Sequence, residues 1–172
     1  MPNRPQVLKP QDIAVALKLA LAPDASYAKL GADLGISQST AHESVERLQD
    51  AGLLRPESRR VNRHSLLEFV EHGLRYVFPA RPERKTRGVP TAYSSPAMAN
   101  EIIADDAIVW PDPRGTVTGL SIPPLIDRAR ELPARCPDLY ELLTLVDAIR
   151  IGRVRERSKA VEKIRERLLA VA

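Results

Sequence analysis

The sequence predicts a mainly α fold with small β elements. Three observations carry that expectation. Helix formers such as Leu, Ala, Arg and Glu are abundant, whereas aromatic residues make up only 4%. Apolar residues recur at helical spacing over residues 11–51 and again over 138–172. Strand-like runs and turn chemistry are confined to short stretches between them. With 172 residues and 44% hydrophobic content, the chain is long enough for one large domain or two small ones with a real core.

The first ten residues hold three prolines and read as an extended arm. Residues 11–22 place Ile13, Ala16, Leu17, Ala20 and Leu21 on one helical face, and Pro23 stops that helix. Ser26 is a natural N-cap for a short helix with Tyr27, Leu30 and Leu34 inward. Gly35 supplies a sharp turn, because glycine takes positive φ without a Cβ penalty. Ser37 caps a third helix reaching about Ala51, with Ala41, Val45 and Leu48 inward, and Gly52 ends it. Leu53-Leu54-Arg55 and residues 61–63 read as two short strands around a turn at 56–60. Residues 64–72 read as a helix and 74–78 as a strand. Residues 79–100, with four prolines and the run Arg81-Pro82-Glu83-Arg84-Lys85-Thr86-Arg87, read as a linker or arm and as the domain boundary. Beyond it, residues 108–110 and 116–122 are expected to form a hairpin around Pro111-Asp112-Pro113-Arg114-Gly115. Residues 124–132 form a short helix. Residues 138–151 carry Leu139, Leu142, Leu143, Val146 and Ile149 on one face. The last helix carries Val154, Val161, Ile164, Leu168 and Val171 at near-heptad spacing over about two heptads, fewer than a coiled coil needs. The organisation is thus 1–78, a basic Pro-rich linker 79–100, and a mostly helical region 101–172.

The formal charge of +4 is unevenly spread. Residues 1–78 carry ten Lys/Arg against nine Asp/Glu, residues 79–100 four against one, residues 101–149 four against nine, and residues 150–172 eight against three. Two basic segments flank an acidic one. A basic patch is the footprint of phosphate binding, and a solvated helical surface is the plainer alternative for the C-terminal block. The single cysteine, Cys136, excludes an internal disulfide and fits a reducing cytoplasm. No apolar run approaches a membrane span, and no signal-peptide pattern follows the N-terminus.

The informative stretch is residues 26–63, a short helix, a glycine turn, a capped longer helix, Gly-Leu-Leu and a basic turn. On Leu30, Ala32, Leu34-Gly35-Ile36-Ser37, Ser39-Thr40, Val45, Arg47-Leu48 and Ala51-Gly52-Leu53 it resembles the winged helix-turn-helix of MarR-like transcriptional regulators. The resemblance covers about 50 residues once the first helix is included, and none of residues 79–172. It implies an N-terminal winged helix-turn-helix and double-stranded DNA as the partner; the helical C-terminal region is read from periodicity alone. Ala32, Ile36, Ala41, Val45 and Leu48 would fill the shared core, leaving the outer face of the third helix free. A helix fits the B-DNA major groove with its N-terminal residues at base edges. Those residues are Gln38, Ser39, Thr40, His42 and Glu43. Gln38 suits adenine, His42 can donate to guanine, and Glu43 would accept from a cytosine amine. Ser37, Arg47, Arg55, Arg59, Arg60 and Arg63 are the expected phosphate or wing contacts. The wing is short and lacks a glycine at its tip.

No catalytic chemistry stands out. His42, His64 and His72 are too dispersed to make a metal site with Cys136, no CxxC pair exists, and no phosphate-loop signature follows Gly115 or Gly119. Asp105-Asp106 reads as a loop or cap, and Trp110 as core. The expectation is therefore a sequence-specific DNA-binding transcriptional regulator, a repressor acting as a homodimer through its last two helices, without cofactor, metal or enzymatic activity. Those helices can equally pack back on their own chain, or present residues 150–167 as a phosphate-binding ridge. The alternative is a protein-docking winged-helix adaptor or antitoxin-like partner protein, with residues 79–122 as the docking arm, whose stretch Gly88-Val89-Pro90-Thr91-Ala92-Tyr93 DNA binding does not explain. An effector-responsive sensor is a third reading.

Overall fold

The structure, a computed structural model, describes residues 6–170. It is mainly α with one small three-stranded sheet. The elements run α1 (Pro10–Leu21), α2 (Tyr27–Leu34), α3 (Gln38–Asp50), α4 (Arg63–His72), α5 (Leu74–Val77), β1 (Lys85–Pro90), β2 (Ile108–Pro111), β3 (Val117–Ser121), α6 (Leu132–Arg135), α7 (Pro137–Ile151) and α8 (Val154–Leu169). Short 3-10 turns occupy Ala92–Ser94 and Ala129–Glu131. Pro2, Pro5 and Val171, used in the reading of the two chain ends, lie outside the described residues.

Two helices form the interior. Every residue of α1 from Asp12 to Ala20 is buried, and so is every residue of α7 from Leu142 to Arg150. A helix apolar around its circumference has to be surrounded. α1 packs on α3 and α7, and α7 packs on α5 and α8. One cluster of buried apolar side chains therefore extends from Ile13 through Trp110 to Leu168. The apolar faces expected to await a dimer partner, on α7 and α8, are largely covered by the chain itself: Leu139, Leu142, Val146, Ile149, Ile164 and Leu168 are all buried. Val154, read as part of that stripe, instead faces solvent.

Three expectations of the sequence are corrected. Residues 74–77 are helical, not extended, with Phe78 as the C-cap: Leu74 and Phe78 are buried while Tyr76 and Val77 are exposed. The segment 79–100 contains β1 and is tied into a sheet. Finally, β2 and β3 are not an antiparallel hairpin. β1 pairs antiparallel with both, its first half against β3 (Lys85↔Leu120) and its second half against β2 (Pro90↔Val109), so that β2 and β3 run parallel. Closing three strands this tightly needs glycine where backbones touch. A Cβ on Gly88 would lie 2.0 Å from the Trp110 carbonyl oxygen, and one on Gly115 would lie 2.4 Å from that of Gly88.

The sheet is anchored to α7 by a buried polar network. Asp147 accepts from Thr91 Oγ1 and Trp110 Nε1, each at 2.7 Å, and from Arg150 Nη1 at 2.9 Å. Arg150 also donates to the carbonyls of Phe78 and Pro123. Tyr140 stacks edge-on to Trp110 and donates to the Pro90 carbonyl at 2.6 Å. Burial pushes its phenol up to about 12. Residues 88–93, part of the 79–122 docking arm of the alternative reading, are thus engaged with their own chain.

Candidate nucleic-acid interface

The α2–α3 pair is set by local chemistry. The Ser26 hydroxyl accepts from the Lys29 N–H and Ser37 from the Thr40 N–H, each at 3.0 Å, so both helices start where serine satisfies an orphan donor. Between them Gly35 sits at φ +69°, the left-handed turn that reverses the chain. Leu30, Leu34, Ala41, Val45 and Leu48 are buried between the helices and α1. Ala32, placed in this core by the sequence, is exposed, and Ile36 is half-buried.

The outer side of α3 is open to solvent. Gln38, Ser39, His42, Glu43, Glu46 and Asp50 are exposed, and Thr40 is half-buried. At the N-terminus the Ser37 hydroxyl lies 3.0 Å from Ser39 Oγ and 2.8 Å from Thr40 Oγ1. A polar, uncharged helix start of this kind, with free backbone N–H groups, attracts anions. Glu43, Glu46 and Asp50 make the solvent face acidic beyond the start of the helix, so only its first turn presents a surface without carboxylates.

The turn after α3 is a minimal wing. A single bridge, Leu54↔Val61, replaces the two expected strands, closed by the Arg55 N–H to the Arg60 carbonyl at 2.9 Å. Gln49 Nε2 holds the loop through the Ser58 carbonyl at 2.8 Å. The tip residue Glu57 takes φ +53°, the conformation for which a glycine was missing. Arg55 and Arg60 are exposed, with Arg60 3.0 Å from the fully accessible Asp24. Arg59 lies over the Tyr27 ring at 5.0 Å and donates to the Ala25 carbonyl. The Tyr27 ring in turn packs 5.1 Å from His42. His42 Nδ1 is 3.7 Å from Glu46. An Arg59–Tyr27–His42 stack therefore links wing, α2 and the solvent face of α3.

Two of the expected phosphate contacts are corrected. Arg47 is 5% exposed and grips the buried Asp12 with two 2.8 Å bonds, from Nε and Nη2. It closes the core from inside α3 and is not available to a phosphate. Arg63 is not on the wing. It opens α4 and donates to the carbonyls of Ala20 and Leu168, tying α1 to the end of α8. Helical periodicity held the signal, since Arg47 lies three residues after Ser44 and next to Leu48, both on the buried side of α3. The role of Tyr27 was hidden because its partners Arg59 and His42 come from two other elements.

The second half approaches the α2–α3 turn. Arg128 covers Gly35, where a Cβ would meet its side chain at 2.3 Å. Arg135 donates to the Ala32 carbonyl at 2.6 Å. Glu131 bridges the two, with contacts of 2.8 Å to Arg128 and 3.0 Å to Arg135. Beneath, Lys18 Nζ lies 2.9 Å from Asp33 and 3.2 Å from Cys136 Sγ. Burial works to lower the Lys18 pKa, but the bonds to Asp33 and Cys136 outweigh it and raise the value. Burial likewise works to raise Asp33, but hydrogen bonds from Lys29 and Lys18 hold it below the ordinary aspartate value.

Comparison of the chain with protein-family models, with curated proteins and with solved structures returned no match. Among the described residues no group of three or more His, Cys, Asp or Glu side chains could hold a metal ion, and no helix is long and apolar enough to cross a membrane.

Proposed function

We propose that residues 10–72 act as a winged helix-turn-helix and that the chain is a sequence-specific DNA-binding transcriptional regulator. The reading rests on one observation above all: the start of α3 carries Gln38, Ser39 and His42 exposed to solvent, beside the exposed wing arginines Arg55 and Arg60. A helix start with these side chains suits the major groove, where Gln pairs with adenine and a protonated or donor imidazole reaches guanine N7 or O6. The stack on Tyr27 fixes the His42 ring, which lowers the cost of ordering it on a base. Arg55 and Arg60 supply the sequence-independent phosphate contacts. Occlusion of a promoter is the simplest mode of action, which makes the chain a repressor. A pseudo-palindromic operator would require two copies, joined by surfaces other than the buried side of α7.

The test is a mobility-shift assay with the region upstream of its own operon against random DNA. Gln38→Ala with His42→Ala should remove most of the preference for the cognate site, each lost base contact costing about 1–3 kcal/mol of discrimination. Arg55→Ala with Arg60→Ala should weaken both DNAs equally and flatten the salt dependence. Equal wild-type affinity for cognate and random DNA at physiological salt would defeat the reading.

A further inference from the structure

The contacts at Gly35 lead onto a second basic feature. Glu131, which binds Arg128 and Arg135 at the α2–α3 turn, also lines one cleft with Asp112, Arg114 and Arg130. The Asp112 N–H bonds the Arg87 carbonyl at 3.0 Å, and Gly115 packs against Gly88, so the β2–β3 loop carrying Arg114 lies against the β1 segment carrying Arg87. Arg128, Arg130, Arg114 and Arg87 therefore lie on successive adjoining segments between the α2–α3 turn and β1. Arg87, Arg114, Arg128 and Arg130 are all exposed. Among the described residues Arg87, Arg114 and Arg130 form no ion pair. Three carboxylates accompany these arginines, Glu131, Asp112 and Asp127, and the first is already shared between Arg128 and Arg135.

Arg114 and Arg130 line one cleft, Arg87 lies on the strand to which the β2–β3 loop is bonded, and none of the three guanidiniums has a role in the packing just described. We infer that they form an arginine ridge that binds the DNA phosphate backbone beyond the helix-turn-helix, extending the contact onto the second half of the chain. The inference rests on the DNA-binding reading above. Its chemistry is specific to a polyanion: guanidinium is always charged and matches a phosphodiester with paired N–H donors. The acidic distal half of α3 gives the ridge a purpose. With Glu43, Glu46 and Asp50 turned to solvent, and Arg47 and Arg63 engaged inside the chain, the helix-turn-helix alone presents few free cations. Further cations on the segments that adjoin the α2–α3 turn through Arg128 and Glu131 make up that deficit.

The experiment compares the wild-type chain, the triple variant Arg87→Ala/Arg114→Ala/Arg130→Ala and its charge-preserving triple Lys counterpart in a DNA-binding titration across a salt series. Each phosphate contact contributes about 0.9 to the slope of log K against log salt, so the Ala variant should lose about 2.7 of that slope. The loss should be the same on cognate and random duplexes, the Lys variant should retain most of the slope, and thermal midpoints should not move. If the Ala variant keeps the wild-type slope while the Arg55→Ala/Arg60→Ala wing variant loses its own, the ridge is wrong and the helix-turn-helix reading stands. If the wild-type chain binds no duplex at all, both fall together.

Discussion

Asp12 in the N-terminal half and Asp147 in the C-terminal half are both buried carboxylates, and they are held in different ways. Asp12 accepts from Lys9 N–H at the start of its own helix and from Arg47, its one distant partner, in a two-pronged pair. Asp147 gathers Thr91, Trp110 and Arg150, and Arg150 passes the connection on to Phe78 and Pro123. The first arrangement reinforces a unit whose helices already form by local rules. The second replaces local rules: the strands of its region are four to six residues long and irregularly joined, and a charged hub fixes where they lie. Burial pushes Asp147 upward against the opposing pull of Arg150 and the two neutral donors, so the hub is satisfied at the cost of desolvating a charge.

That difference can be broken most directly at the hub. Asp147→Ala leaves the buried Arg150 guanidinium uncompensated, which should cost about 3–5 kcal/mol. For a chain of this size that lowers the thermal midpoint by roughly 10 °C, measurable by circular dichroism. A change of only a degree or two would mean that the sheet is held by apolar packing and not by the network.

Arg47→Ala should be milder, about 3 kcal/mol, because Asp12 keeps its bond from the Lys9 backbone. The sharper readout is DNA binding by the fraction that remains folded. With Arg47 facing Asp12, its removal leaves the salt dependence of binding unaltered, whereas the Arg55→Ala/Arg60→Ala variant flattens it. A lower slope in Arg47→Ala would return this residue to the DNA surface.

The smallest effect tests the seam between the halves, where Lys18 of α1 meets Asp33 of α2 and Cys136 of the second half. Against burial, hydrogen bonds from Lys29 and Lys18 hold the Asp33 carboxyl below the unfolded aspartate value of about 3.9. Its contribution is therefore present above that pH and is lost as the pH falls through the lower folded value. Asp33→Asn removes this term, so urea midpoints of wild type and variant should differ at neutral pH and converge in acid. Parallel curves down to the lowest pH would show that Asp33 carries no pH-linked stability.

The uneven legibility of the chain follows from the same contrast. Ser26, Gly35, Ser37 and Gly52 act on bonds within four residues of themselves, and the helices they delimit lie where the sequence places them. The exposed side of α3 was equally readable, because a helix buries its residues at a fixed period. Arg47 and Arg63 were misread as surface cations because a charged side chain says nothing of a partner 35 or 105 residues away. The strand at 85–90 was masked by its prolines and basic residues, which are tolerated since β1 is short and most of its side chains remain exposed or half-buried.

What the sequence determined unaided was the mainly helical character, the three-helix start with its glycine turn, and the polar opening of α3, all products of capping, periodicity and backbone freedom acting over a few residues. Only the tertiary structure decided which arginines are free, how β1 pairs antiparallel with two strands that are themselves parallel, and that α1 and α7 share one interior. Those outcomes depend on which distant groups meet when apolar surface is withdrawn from water, and burial on that scale has no period that a linear pattern can display.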